Sequence, residues 1–334
     1  MIKLSLLYGT FIFVSCAITE MGKLKTPQYI QGKATYQGAK SCSECHKEIY
    51  DQWKTSRHSM ATSDPWFHEM KKGVNLLYYM MMGKDFCYNC HGPKELNEGV
   101  SCEICHGVND IRDTEIIHKE KYTPGLRHLK SGQTCGNCHG MRHPISGDVI
   151  VTTQFEWEKS PAGREGLDCT DCHMKKRSNG LSFHGFTSRY IDSSIYEDDI
   201  EIRNVSLEFP NLTFVLENKI TGHSLLTGGP EAILQLKVEV KNQKSRVLQT
   251  YTEIFKQSGT RSFGMPWGVE ADNRLTAGEI RIIHFVLPES LRNRITSMTV
   301  SLKLFSVDFR YKGDVKKARW ESDKFYEKTF SLTE

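Results

Sequence analysis

The sequence predicts a chain of two unlike parts. The first is a segment of short helices and long irregular loops with too little apolar sequence to build an ordinary core. The second is an all-β antiparallel sandwich. Three observations carry this. Ten of the eleven cysteines fall between residues 42 and 172, in five repeats of one frame. Beyond the acidic stretch 196–202, apolar residues recur at every second position. The length of 334 residues allows two or three domains. The boundaries read as 1–15 leader, 16–40 tether, 41–195 cysteine-rich domain and 196–334 β domain.

The repeated frame is Cys-x-x-Cys-His: Cys42, Cys45 and His46; Cys87, Cys90 and His91; Cys102, Cys105 and His106; Cys135, Cys138 and His139; Cys169, Cys172 and His173. Chance would produce on the order of 0.01 such frames in a chain of this composition, and the frame is the attachment signature of c-type haem. Two thiols three residues apart add across the vinyl groups on one porphyrin edge, and the adjoining imidazole becomes the proximal iron ligand. Structural zinc, disulfides or a thioredoxin-like pair require no histidine after every cysteine pair. Five covalent haems are therefore expected, and the first part reads as a multihaem cytochrome c domain whose porphyrins pack against one another and form much of the core. Short helices are expected after the frames. The run Leu76 to Met82 is expected to pack on porphyrin faces, since methionine fills such gaps readily.

At the N-terminus, Lys3 and the apolar run Leu4 to Val14 read as an export signal. A small residue followed by Cys16 resembles the lipobox of bacterial lipoproteins, which makes Cys16 the lipidation candidate. The expected location is the periplasm or cell envelope, with the membrane reached through a lipid anchor only. No stretch attains the roughly 18 apolar residues of a spanning helix. The net charge is +4 with acids and bases interleaved, so short basic clusters such as Lys175, Lys176 and Arg177 read as solvated surface and no nucleic-acid partner is expected.

In the β part, Leu234, Leu236, Val238 and Val240 alternate with Gln235, Lys237 and Glu239, and Met298, Val300, Leu302 and Leu304 repeat the pattern. Val205, Leu207 and Phe209 alternate with Ser206 and Glu208. The run Ile280 to Leu287 reads as buried on both faces, with His284 a buried structural residue on the face of Ile282 and Val286.

Of thirteen histidines, the five frames leave eight: His58, His68, His118, His128, His143, His184, His223 and His284. Each iron presents a sixth position, and two histidines on one iron suit electron transfer whereas an open position permits substrate chemistry. His118 follows His106 by the same twelve residues that separate His58 from His46. His143 reads as a neighbour of a haem and His68 as surface. Residues 46–60 have helical character. Twelve helical residues would carry His58 about 18 Å along the axis and about 120° around it, toward a haem other than the first.

The stretch CSECHKEIYDQWKTSRHSMAT, then GVSCEICHG, TCGNCHG, FEWEKSPAGREGLDCTDCHM and FHGF, resembles the cytochrome c-554-type multihaem proteins, relatives of the hydroxylamine-oxidoreductase group. The resemblance implies that His58 and His184 are axial ligands, and His128 a third. TGHSLLTGGP followed by alternating strands is similar to the β domain after the haems in some of these proteins, where the wording is nearer Gly-His-x-x-Pro-Thr-Gly; here Leu226 stands for the proline. It implies His223 as a ligand reaching a haem from the β domain. The distal candidates are thus His58, His128, His184, His223 and His118.

These readings make the chain an exported pentahaem electron carrier, its partners redox proteins or quinol-linked complexes. Two other classes stand beside it: a haem oxidoreductase acting on a small nitrogen or sulfur compound at an open distal site, and a docking subunit of a larger multihaem complex. All five frames end in histidine, so the lysine-ligated haem of pentahaem nitrite reductases has no counterpart. No nucleophile elbow, zinc-protease, P-loop or dinucleotide motif is present.

Overall fold

The computed structural model describes residues 38–72, 76, 80, 83, 85–94, 96–106, 133–142, 147–186, 198–229, 231–262, 265–307, 315–322 and 324–332. The leader, Cys16, the tether as far as residue 37 and three of the singled-out histidines, His118, His128 and His143, lie outside them. The described residues divide into two compact units. One takes those within 38–149, 173–186 and 261–268; the other takes those within 150–172, 187–260 and 269–334. Among the described residues no helix is long and apolar enough to cross a membrane.

The helices are short: α1 Ala39–Cys42, α2 Lys47–Trp53, α3 Pro65–Lys72, α4 Tyr88–His91, α5 Cys102–His106, α6 Gln133–His139, α7 Thr153–Lys159, α8 Pro161–Arg164 and α9 Cys169–His173. Helices are expected after the frames, but α4, α5, α6 and α9 are themselves built on frame residues, and among the described residues only the first frame is followed directly by a helix, α2. One helical turn gives the two-thiol spacing and presents the histidine at its end. Outside the frames, α8 starts as its sequence dictates: Ser160 caps it, its Oγ accepting from Gly163 N at 3.0 Å, and Pro161 occupies the first turn.

In the second unit, β1 Ile200–Glu208, β2 Asn211–Asn218 and β6 Ile280–Val286 form a three-stranded sheet in the order β1-β2-β6. The larger sheet holds β3 Ala232–Lys241, β4 Val247–Ser262, β5 Met265–Asp272, β7 Ser297–Val307 and β8 Ala318–Glu321 in the order β5-β4-β3-β7-β8, and β9 Tyr326–Ser331 also pairs with β7. β3 runs antiparallel to both β4 and β7, with Leu234 opposite Phe255 and Leu304. Leu212, Phe214 and Leu216 from the small sheet join Leu234, Leu236, Val238, Val240, Met298, Val300, Leu302 and Leu304 from the large one in a single apolar cluster. Each such side chain contributes roughly 1.5–3 kcal/mol on burial, so this cluster holds the unit together.

Two strands depart from the simple alternation. In β1 the inward residues switch from Ile200 and Ile202 to Val205, Leu207 and the following Phe209, which are only partly buried. The register shifts between Arg203 and Ser206, with Asn204 at φ 53°, and one extra residue moves every later side chain to the other face. β6 is not buried on both faces. Ile283 is 3% exposed, whereas Ile280, Ile282 and Val286 are 56, 72 and 60% exposed. His284 shares their face and is likewise exposed, bonded to Asn211 Oδ1 at 2.8 Å. The reason is position: β6 pairs with β2 only and no layer covers its outer face among the described residues.

Candidate haem-binding site

The first unit brings frame histidines against histidines from elsewhere. The rings of His58 and His139 lie 6.1 Å apart, centre to centre, with planes inclined by 64°. Those of His106 and His184 lie 6.3 Å apart, inclined by 24°. Two imidazoles sharing one iron, with bonds of about 2 Å and about 1.1 Å from each nitrogen to its ring centre, have centres about 6.2 Å apart. Both pairs match that separation.

His58 does not ride on a continued helix. α2 ends at Trp53, and residues 54–63 form turns. This segment is clamped from the far side of the second frame. Trp53 Nε1 donates to Val100 O at 2.8 Å, Val100 N donates to His58 O at 2.8 Å, and Gly99 N donates to Thr62 Oγ1 at 2.8 Å. Gly99, at φ 73°, permits the approach, since a Cβ there would stand 2.1 Å from His58 O.

His184 sits after a hairpin in which Phe183 N donates to Lys175 O at 3.1 Å and Arg177 N to Leu181 O at 2.9 Å. Its backbone N donates to Gln52 Oε1 of α2 at 2.8 Å. Its Nδ1 is 2.8 Å from Ser182 O. A carbonyl can only accept, so Nδ1 carries the proton and Nε2 the lone pair a metal needs. The same holds for His91, whose Nδ1 donates to Ala61 O at 3.0 Å while Phe67 stacks on its ring at 4.3 Å. Burial pushes His58 down to about 4, helped by charge on His139 and His173, and burial also lowers His91 and His184. The neutral imidazole is the ligating form.

The frame cysteines form no disulfide among the described residues. Cys42 is in hydrogen-bonding contact with Cys102, and Cys90 with Cys138. The chain thus sets the first frame beside the third and the second beside the fourth. His46 lies close enough to His106, and His173 to His58, to be felt electrostatically.

In the second unit, His223 occupies a loop tied to α7 and α8. Its Nδ1 donates to Ser224 O at 3.0 Å, which again makes Nε2 the basic nitrogen. Ser224 N donates to Glu156 Oε2 at 2.9 Å, Arg274 Nη1 to Leu226 O at 3.0 Å, and Ala162 N to Thr221 O at 3.1 Å. Leu226 adopts φ 62°. Arg274, 2% exposed, binds Glu156 Oε1 at 2.7 Å and Asp272 Oδ2 at 2.5 Å. Burial works against ionisation of Glu156, but Arg274 and hydrogen bonds from Thr152, Thr227 and Ser224 hold it at about 2.

His68 is exposed, as are Lys175, Lys176 and Arg177, of which Arg177 pairs with Glu48. Leu76 and Met80, the described members of their run, are 75 and 73% exposed. Gln52, Phe186, Glu156 and Arg274 were not singled out in the sequence. Each acts through tertiary contacts, and no local pattern announces it.

The family described as cytochrome c554 and c-prime matches residues 41–107, which span the first three frames. Cytochrome c-554 of Nitrosomonas europaea is 28% identical over 161 residues, covering 38% of this chain and 68% of that protein. The structure of a penta-heme cytochrome c552 from Thermochromatium tepidum superposes with a TM-score of 0.65 at 18% identity, covering 88% of this chain and 98% of that one.

Proposed function

Starting from a chain that is a relative of the multihaem c-type cytochromes, we propose that it is an exported carrier of electrons with five covalent haems, most of them held between two histidines. The observation that carries this reading is the pair of imidazole couples at 6.1 and 6.3 Å. In the proposal His139 and His58 hold one iron, and His106 and His184 another, with His223 serving a third. Haem iron so ligated supplies one-electron transfer without an open position for substrate.

The residues of the chain do the rest. Ten cysteines fix the attachment points, Ser182 and Ala61 carbonyls set the tautomers of His184 and His91, and the contacts of Cys42 with Cys102 and Cys90 with Cys138 hold attachment points side by side. We read the two sheets sharing one core as a sandwich that docks the carrier on a redox protein or quinol-linked complex, and Cys16 as its lipid anchor.

A pyridine haemochrome count with EPR spin states tests the proposal. Five haems per chain, low-spin wherever histidines pair, and slow binding of cyanide to the oxidised and of nitric oxide to the reduced protein are expected. Fewer than five haems would overturn the count. Rapid binding of either ligand would move the protein from carrier to enzyme.

A further inference from the structure

We propose that Phe186 is a positioning residue that sets the imidazole plane of His58 and, more weakly, bears on that of His184, and so acts on both ligand pairs at once. The inference rests on the reading of those histidines as iron ligands. Metal-bound histidines generally have their second ring nitrogen fixed by a hydrogen bond, which sets the plane of the ring. His184 has this in Ser182 O at 2.8 Å. His58 does not: among the described residues neither of its ring nitrogens has a hydrogen-bond partner. Its backbone carbonyl is clamped by Val100 N, but that leaves rotation of the ring open.

What meets the ring is Phe186. The two ring centres are 4.4 Å apart with planes at 64°, an edge-on contact that blocks rotation of the imidazole. The same phenyl group stands 6.1 Å from His184, at 87°. It therefore lies between two histidines that face different frames, the fourth and the third. Its backbone is at φ 42°, in a region that residues with a β-carbon rarely adopt. Gly185, the adjacent residue, would have taken that conformation without strain. An unfavourable conformation kept at an aromatic residue between two ligands points to a role in the site.

In a low-spin ferric haem the largest g-value depends on the angle between the two axial imidazole planes, so the plane of His58 is directly readable. The experiment uses the full haem-loaded chain and records EPR, haem count and thermal midpoint for Phe186→Tyr, Phe186→Leu, Phe186→Gly and His58→Ala. Tyrosine, which keeps the ring edge, is expected to reproduce the parent spectrum. Leucine and glycine are expected to keep the haem count but shift and broaden the low-spin signal that His58→Ala abolishes. The signal abolished by His184→Ala should move in the same direction by less, since its ring is farther away. The glycine variant relaxes the backbone, so a residue that only stabilised the fold would leave the spectrum in place. Parent spectra for both Leu and Gly variants, with His58→Ala converting one haem to high spin, would overturn the inference, as would a lowered haem count in both. An unchanged spectrum for His58→Ala would overturn the ligation reading beneath it.

Discussion

Glu156→Gln tests whether the loop of His223 is held by a buried ion pair. Glu156 Oε1 accepts from Arg274 Nη2 at 2.7 Å and from Thr152 Oγ1, and Oε2 accepts from Ser224 N at 2.9 Å. Glutamine keeps the shape but turns one acceptor into a donor, which must then face either the guanidinium or the amide of Ser224. The carboxylate is held at about 2 against an ordinary 4.5. At 1.36 kcal/mol per unit this corresponds to on the order of 3 kcal/mol of stability at neutral pH. That lies at the low end of the range of about 3–5 kcal/mol for breaking a buried pair, which is reasonable because Asp272 still neutralises Arg274. For a unit of this size about 3 kcal/mol is a fall of roughly 6–12 °C in thermal midpoint. The folded value is depressed, so the contribution is complete above about 4.5 and disappears as pH falls toward 2. Thermal unfolding followed by circular dichroism at pH 7 and pH 3 should therefore show a large gap between parent and variant that narrows on acidification. A gap under about 0.5 kcal/mol at pH 7, the ordinary range for a surface substitution, would refute the argument, and so would a gap independent of pH.

His58→Ala and His184→Ala should each convert one haem to high spin. The signal affected by His58→Ala should be the one altered by His139→Met, and that affected by His184→Ala the one altered by His106→Met; a change confined to the haem of Cys42 and Cys45 in the first case would sink the pairing. Gly99→Ala places a Cβ 2.1 Å from His58 O at a residue of φ 73°, so it should cost more than about 2 kcal/mol and disturb the same haem as His58→Ala. A silent EPR spectrum at unchanged stability would contradict the clamp. On β6, Ile282→Lys should be neutral within about 0.5 kcal/mol, because that side chain is 72% exposed, while Ile283→Lys, at 3%, should unfold the unit. Equal denaturation midpoints for the two would contradict the assignment of faces.

The sequence was readable where chemistry or pattern is local. Thioether attachment needs two thiols and an imidazole within one turn, so the five frames are visible without tertiary information. Strands β3 and β7 sit in the middle of a sheet with one face on the core, and the alternation of Leu234 to Val240 and Met298 to Leu304 records that directly. Legibility failed where the outcome depends on neighbours. Ile280 to Leu287 is equally apolar on both faces, and Ile282 stands in solvent because no layer covers the outer face of β6 among the described residues. The bulge between Arg203 and Ser206 inverts parity without a glycine to mark it. The helical pattern running through Lys54 to His58 stops at Trp53, whose indole is bonded to Val100, 47 residues away in sequence. Gln52 and Phe186 gain their roles the same way, by meeting histidines distant in the chain.

That distance also decides how the ligand variants must be read. His58 and His139 are separated by about eighty residues, as are His106 and His184. If each pair shares an iron whose porphyrin is bonded to the frame of His139 or His106, each ligand closes a loop of that length. In the chain-entropy picture a cross-link over about eighty residues removes about 4–5 kcal/mol of freedom from the unfolded chain. Loss of a distal ligand should then lower stability by an amount comparable to a core substitution, even though the imidazole buries little apolar surface. Loss of stability in His58→Ala is therefore expected under ligation and also under simple packing, and it does not separate them. Spin state does, because loss of a residue that only packs leaves the coordination of the iron unchanged. The two readouts must move together: a high-spin haem without destabilisation would mean that the iron was not bridging the two segments, and destabilisation without a high-spin haem would mean that His58 was never on it.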